Sequence, residues 1–468
     1  METFDLIVIG AGPGGYAGAI RAAQKGLKTA LVEKEQIGGC CLNKGCVPTK
    51  SLIHSAHLYR ELQNVSQFGL KVEGLSFDID EIYANKNKNV ETLRSGIEEL
   101  LKANGVSIFR GRATITAPSK VLVKGEEPYE LSYKNLLIAT GGRPSLLPPH
   151  LQDIEGVYTS DDILGDKAMF FKRVVIIGGG VISMELASFY NNFGAEVSLI
   201  EMQSGILPKM DREIRQNLSM IMKKRGVKIE TSAMLTNIEK QGDSLLCSYE
   251  KKGETFTISC DAVITATGRQ AFTEGLFEGI EAPTMEKGAL VVDNFFRTSL
   301  TGVYAVGDCT AKSIQLAHIS TAQAINAVSH MVGEEMPVDL KTVPACVYTN
   351  PEIASVGMTV QEAKEAGIDT FSGKYIMSII SKSAITAQER GFIRLLFNSA
   401  DSRIIGAQLM CDRATDIVGE ISMAISNGLT REQMTRVIHP HPTYMEGIWE
   451  AAEEAQGQAI HMAPKLKR

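Results

Sequence analysis

Two cysteines five positions apart, Cys41 and Cys46, stand in the stretch Gly38-Gly39-Cys40-Cys41-Leu42-Asn43-Lys44-Gly45-Cys46-Val47-Pro48-Thr49-Lys50. Near the other end, His439-Pro440-His441-Pro442-Thr443-Tyr444-Met445-Glu446 puts two imidazoles and a carboxylate in one short segment. A thiol that must lose and regain a proton works with an acid–base group near neutrality, and imidazole is the side chain that titrates there. On a regular helix, residues i and i+5 have Cα atoms roughly 8.6 Å apart, whereas a disulfide needs about 4.4–6.8 Å. If Cys41 and Cys46 pair, the backbone between them leaves the helix, and Gly45 is the residue that lets it bend. A strained, accessible bridge is the reducible, catalytic kind. Two buried free thiols are the other reading, and the pair alone does not choose. Two histidines among prolines cannot share a regular helix, so the segment reads as a fixed loop. Glu446 can hold one ring nitrogen there and set the tautomer; an exposed or capping loop histidine is the plain alternative.

The setting of the cysteines decides the matter. Residues 5–9 form an apolar run suited to a buried parallel strand, followed by Gly10-Ala11-Gly12-Pro13-Gly14-Gly15 and a helical segment from Tyr16 to about Lys25. Gly10, Gly12 and Gly15 fit the dinucleotide fingerprint of tight turn, close pyrophosphate approach and close helix–strand packing. A second strand, Thr29–Val32, ends on Glu33, an acid able to accept from a ribose hydroxyl. The cysteine pair follows within ten residues and is expected over the same nucleotide.

The unit repeats. Arg173–Ile177 leads into Gly178 and Gly180, Ser183 stands at the third glycine position, and the next strand ends on Glu201. Gly10 to Glu33 and Gly178 to Glu201 are equal spans in the sequence. Glu201 favours NAD over NADP, because an acid repels a 2′-phosphate. Each unit has a later strand closing in a Thr-Gly turn, Thr140-Gly141 and Thr267-Gly268. A third strand, Tyr304–Val306, runs into Gly307-Asp308. Asp308 is a ribitol- or ribose-binding acid or the cap of the next helix, read as Leu316–Val332. One nucleotide unit holding a flavin and one a nicotinamide is the minimum equipment for moving hydride to or from a thiol pair.

Beyond Pro337 the pattern becomes that of a mixed domain with an antiparallel sheet, strands at 374–380, 392–397 and 403–409, and helices at 415–427 and 431–437. At 468 residues the chain needs several domains, and 44% hydrophobic with 22% charged residues is ordinary globular composition. A net charge of −6 argues against nucleic acid. No apolar window reaches the roughly eighteen residues of a membrane span, and the first residues lack a secretory pattern. Eight scattered cysteines do not make a disulfide scaffold. A cytoplasmic protein is expected.

These motifs together resemble the flavin disulfide reductases, a class of pyridine nucleotide-disulfide oxidoreductases, and within them the dihydrolipoamide dehydrogenases, essentially end to end. The resemblance implies an α/β fold: an FAD-binding domain at 1–148, an NAD-binding domain at 149–271, a central segment at 272–340 returning to the first, and a dimerisation domain at 341–468. It implies that Cys41 meets the substrate, Cys46 lies against the flavin, Lys50 sits near the flavin and pairs with Glu185, and His441 is the acid–base oriented by Glu446. The histidine would come from the other subunit of a homodimer. Glu33, Thr140, Gly141, Asp308 and Ala317 would join the first glycines around FAD; Gly178, Gly180, Glu185, Glu201 and Gly268 would serve NAD. The implied reaction oxidises dihydrolipoamide carried on the lipoyl domain of a 2-oxo acid dehydrogenase, acetoin or glycine-cleavage complex, since no lipoyl-bearing segment precedes Met1.

Three departures stand out. Cys40 occupies a usual threonine position and either scrambles the bridge or, as expected of a neighbour pointing away, is inert; Ser183 breaks the second triplet, and Gly268-Arg269-Gln270-Ala271-Phe272 lacks the expected proline and asparagine. Glutathione reductases would want arginines after the second fingerprint, where Glu201-Met202-Gln203 stands, and mercuric reductases a C-terminal cysteine pair, where Ala463-Pro464-Lys465-Leu466-Lys467-Arg468 stands. A nicotinamide-dependent reductase of another disulfide and a flavin-holding structural subunit are the alternatives.

Overall fold

A computed structural model describes residues 2–126, 128–388 and 390–463. The chain divides into two compact units, residues 1–172, 237–246 and 259–340 in one and residues 173–236, 247–258 and 341–468 in the other.

The first unit is built on a parallel sheet. Strand β1 (Glu2–Ile9) pairs with β2 (Thr29–Glu33) on one side, in the register Leu6↔Thr29 and Ile9↔Val32, and with Tyr129–Ile138 on the other. Ser107–Arg110 extends the sheet beyond β2, and Val303–Ala305 pairs with Tyr129–Ile138. Both faces are buried, which is why these strands read as unbroken apolar runs. Leu6, Val8, Leu31 and Leu137 pack to one side, Ile7, Ile9, Val32 and Ile138 to the other. Helix α1 (Pro13–Gln24) crosses between β1 and β2. It starts three residues before the expected Tyr16, because Pro13 suits the first helical position, where its missing N–H leaves nothing unsatisfied. After β2 come the short helix α2 (Gly39–Lys44), then α3 (Cys46–Gln63) and the long α4 (Ile79–Ala103), capped by the Asp78 carboxylate on the amides of Asp80 and Glu81.

The second unit holds the repeated fingerprint. Arg173–Ile177, Glu196–Glu201 and Lys228–Thr231 pair in parallel, with a helix at Val181–Asn192 after the glycines. It also holds a five-stranded antiparallel sheet whose strands run, from edge to edge, Ala345–Val347, Ile353–Gly357, Ile404–Met410, Phe392–Asn398 and Thr370–Ile376. The expected strand at 374–380 ends at Ile376; Met377–Ile379 turns as a short 3-10 helix with Met377 buried. Helices Ala414–Ser426 and Glu446–Glu454 supply Ile417, Ile421, Ile448 and Ala451 to a core shared with Tyr375, Leu395 and Phe397.

The glycine demands are steric. A Cβ on Gly15 would fall 1.7 Å from the Gly10 carbonyl oxygen, so α1 approaches the strand only because no side chain is there. In the second unit the matching Ser183 is fully buried. Gly15→Ala is therefore expected to destabilise the protein by about 1–3 kcal/mol and to lower the flavin retained on purification, checked by thermal melting and visible absorbance.

Candidate functional site

The redox segment is shaped by where its helices stop. Helix α2 ends at Lys44, Gly45 takes φ −144 and ψ −115, and α3 begins at Cys46. The helix is thus broken between the two cysteines, and Cys41 and Cys46 face each other as thiols. Gly45 lies against the preceding turn: a Cβ there would meet the Cys40 carbonyl oxygen at 2.9 Å and the Cys41 Cα at 3.2 Å. The Thr49 hydroxyl and amide both donate to the Gly45 carbonyl, at 2.6 and 3.0 Å, closing the first turn of α3.

This segment is pressed onto the nucleotide loop. Gly39 has φ +60, and a Cβ on it would sit 2.5 Å from the Gly12 Cα. The Gly38 amide donates to the Ala11 carbonyl at 2.8 Å. Glu33 ties the same loop down, its Oε2 accepting from the Ala11 amide at 2.7 Å and its Oε1 from the Glu35 amide at 2.8 Å. Helix α1 has Gly12 at its N-cap with no side chain capping it, so its first-turn amides and positive end are open to a phosphate.

Around this loop the first unit gathers Thr140, Gly141 and Asp308. The Thr140 hydroxyl donates to the Phe272 carbonyl at 2.6 Å, and the Phe272 amide to the Gly141 carbonyl at 2.9 Å. Gly10, Glu33, Thr140 and Phe272 line a cleft, with the Lys34 ammonium 4.0 Å from the centre of the Phe272 ring. Asp308 is not the cap of the following helix. It sits in a 3-10 turn, Gly307–Cys309, whereas Leu316 occupies the N-cap before Ala317–Met331. Burial pushes its carboxyl up while the Arg269 charge pulls it down. Ala317 opens that helix, again without a side-chain cap.

Lys50 lies on α3 and is half-buried. Gly268 belongs to the first unit, where its carbonyl accepts from the Ser145 amide at 2.9 Å. Gly178, Gly180, Glu185 and Glu201 belong to the second. Gly180 caps the helix Val181–Asn192 without a side chain, as Gly12 caps α1, and Gly178 turns at φ +108. Glu201 accepts from the Gln203 amide, the same i+2 contact that Glu33 makes. Glu185 is 2% exposed and its Oε1 accepts from the Tyr348 amide at 3.0 Å.

His441 and Glu446 form a dyad. His441 Nδ1 is 2.7 Å from Glu446 Oε1, and the Thr443 amide donates to Oε2 at 2.9 Å. Glu446 is the first residue of a helix, so the expected loop ends one residue sooner. An ionised carboxylate only accepts, so Nδ1 carries the proton and Nε2 is left for chemistry. The His441 side chain is 66% exposed. His439, two residues earlier, is buried with Nε2 3.0 Å from Glu420 and anchors the loop.

The thiols differ in character. The Cys41 thiol is held far above the ordinary range, first by donating to Cys46 and then by burial. Burial pushes Cys40 up to about 12. Tyr16, on the first turn of α1, is raised by burial and by the charge of Cys41. One support had no local signal in the sequence. Asn43 on α2 donates to the carbonyls of Ile37 and Gly39, at 3.0 and 2.8 Å, and accepts from Arg94 on α4 at 2.9 Å.

Residues 4–324 match the model of the pyridine nucleotide-disulphide oxidoreductases, and residues 343–452 that of their dimerisation domain. The chain belongs to this family. The cofactors of these oxidoreductases, FAD and NAD, fit the two uncapped helix ends, each behind a glycine turn and an acid. A dihydrolipoyl dehydrogenase of Bacillus subtilis (strain 168) is 37% identical over 472 residues, covering 98% of this chain and 99% of that one. Another, from Geobacillus stearothermophilus, is 36% identical, covering 98% of each. Among solved structures, the HOCl-induced flavoprotein disulfide reductase RclA of Escherichia coli, as a Cu(II) complex, superposes with TM-score 0.87 at 26% identity, covering 97% of this chain and 99% of that one. LpdA of Mycobacterium tuberculosis gives 0.88 at 25%, with the same coverage. Among the described residues no helix is long and apolar enough to cross a membrane.

Because the thiolate is the nucleophile, the raised Cys40 thiol is expected to react with iodoacetamide at pH 8 about a thousandfold more slowly than an ordinary exposed thiol. Peptide mapping of the reduced protein over time checks this; labelling of Cys40 at an ordinary rate would contradict it.

Proposed function

We propose that this oxidoreductase is a dihydrolipoyl dehydrogenase, oxidising protein-bound dihydrolipoamide to lipoamide through a Cys41–Cys46 disulfide and passing hydride to NAD. The observation that carries the reading is the helix break at Gly45, which turns two thiols toward each other on the nucleotide loop. The full-length likeness to the Bacillus and Geobacillus dihydrolipoyl dehydrogenases supports the choice of substrate.

His441 Nε2 takes the proton of one dihydrolipoyl thiol. The resulting thiolate attacks the Cys41 sulfur of the disulfide, forming a mixed disulfide and releasing Cys46 as thiolate. The imidazolium releases that proton to solvent and takes the proton of the second lipoyl thiol, whose sulfur attacks its partner in the mixed disulfide; lipoamide leaves, and the departing Cys41 sulfur takes the proton from the imidazolium. Two electrons and two protons have left the substrate. Glu446, fixed by the Thr443 amide, keeps the imidazole in one tautomer. Once the dithiol is formed, Cys41 keeps its proton by donating to Cys46, so Cys46 carries the charge. Bound FAD supplies the two-electron relay from this dithiol to NAD.

In this reading residues 1–148 with the 272–340 return hold FAD, residues 149–271 hold NAD, and residues 341–468 form the dimer, the partner subunit's His441 serving each cysteine pair. Residues 464–468 of that last segment lie outside the described residues. Lys50 is assigned to the flavin and Glu185 to its support. The electron donor is the lipoyl domain of a 2-oxo acid dehydrogenase, acetoin or glycine-cleavage complex in the cytoplasm. A reductase of another disulfide is the second reading, favoured by the likeness to RclA.

The test is NADH formation from dihydrolipoamide and NAD by the FAD-loaded protein. Turnover is expected in the wild type, none in Cys41→Ser, and about 10²–10⁴-fold less in His441→Gln at unchanged flavin content. Undiminished turnover in Cys41→Ser, or NADH-dependent reduction of another disulfide without dihydrolipoamide oxidation, would overturn the proposal.

A further inference from the structure

The cleft beside the nucleotide loop has two walls of different origin. Gly10 and Glu33, at the ends of β1 and β2, line it together with Ala113 and Phe272. In a dinucleotide fold the glycine turn takes the pyrophosphate and the acid after the second strand takes the adenosine ribose. FAD laid on α1 in this way carries its adenosine past Glu33 into the cleft. Lys34 directly follows Glu33 and is exposed. Its ammonium lies 4.0 Å from the centre of the Phe272 ring, so a cation–π contact joins the end of β2 to the far wall.

Phe272 is the firmly held half of that contact. It follows the strand Arg269–Ala271, which pairs antiparallel with Gly142–Pro144. Its amide donates to the Gly141 carbonyl at 2.9 Å, and its carbonyl accepts from the Thr140 hydroxyl at 2.6 Å. The Thr273 hydroxyl donates to the Gly288 carbonyl at 2.7 Å and pins the next residue. The Arg143 guanidinium, whose Nη1 donates to Glu274 Oε2 at 2.9 Å, comes within 5.8 Å of the centre of the Phe272 ring. Lys34 has only Glu35 beside its ammonium, 3.2 Å away, and a flexible four-carbon stem. Phe272 also belongs to the segment that lacks the expected proline and asparagine, so an aromatic ring here is a feature of this chain.

We propose that Phe272 and Lys34 form a clasp over the adenosine half of FAD, the ring held in place and the lysine closing onto it, so that FAD leaves only when the contact opens. The inference rests on the first unit holding FAD, but not on the identity of the disulfide substrate. The ring face attracts the ammonium through its quadrupole, and an aromatic ring beside a base offers it a surface to stack on. Both effects act on the adenosine and the ribose, so ADP, which carries that half of the cofactor alone, feels them as FAD does.

The test uses the full chain as wild type, Phe272→Asn, Lys34→Gln and the double variant. FAD release from the loaded protein is timed by rapid gel filtration and the visible absorbance left on the protein. ADP is then titrated against FAD reloading of the stripped protein. Phe272→Asn is expected to release FAD about tenfold faster and to need about tenfold more ADP to block reloading, and Lys34→Gln to change both about threefold. The double variant matches Phe272→Asn, because the lysine has nothing left to close onto. Wild-type release rates in the single variants, fully multiplicative effects in the double variant, or ADP that fails to compete with FAD in the wild type overturn the clasp. Gly15→Ala separates this from the assignment beneath it. If Gly15→Ala sheds flavin while the Phe272 and Lys34 variants keep it, the clasp alone falls; if all of them keep flavin as the wild type does, the placing of FAD in the first unit falls with it.

Discussion

The close approach of two backbone segments carries the first unit. The Gly10–Gly15 loop and the redox segment touch through Gly12 and Gly39, and a single added methyl at Gly39 would put 2.5 Å between atoms that need well over 3 Å. Everything chemical follows from that contact. It places the uncapped end of α1 and the cysteine turn in one neighbourhood, and Tyr16 on the first turn of α1 feels the charge of Cys41. A second close approach, Gly45 against Cys40 and Cys41, breaks the helix where the thiols must meet.

In each unit polar groups are held by hydrogen bonds: in the first, Asn43 is anchored by Arg94 and Asp161 holds Arg269, and in the second His441 is oriented by Glu446, each through contacts of 3.1 Å or less. Groups held in this way keep their geometry while protons and electrons move. Burial raises the Cys40 thiol, which neighbours Cys41 on helix α2. In the second unit the buried Ser183 shows that the fingerprint tolerates a small side chain at its third position.

The legible parts of the sequence were those whose physics is local. Glycine turns, buried parallel strands, the acids after them and the need for Gly45 to break a helix are all properties of a few neighbouring residues, and they appear at the expected positions. The His441–Glu446 contact spans five residues and was readable for the same reason. Asn43 with Arg94 and Arg269 with Asp161 join residues 51 and 108 apart, and neither end carries a local pattern. The strand placed at 374–380 slipped by four residues because Met377 is apolar and buried in a 3-10 turn as readily as in a strand. Asp308 was ambiguous until the helix it was thought to cap began eight residues beyond the turn that holds it.

The account stands on Cys41 and Cys46 exchanging electrons with a flavin on the same loop. The most direct measurement is an anaerobic titration of the yellow FAD-loaded protein with dihydrolipoamide, following the visible spectrum and trapping new thiols by alkylation. The account predicts a long-wavelength absorption band from a thiolate lying against the flavin, rising together with labelling at Cys41 and Cys46. An unchanged spectrum, with no new thiol at either cysteine, would contradict it.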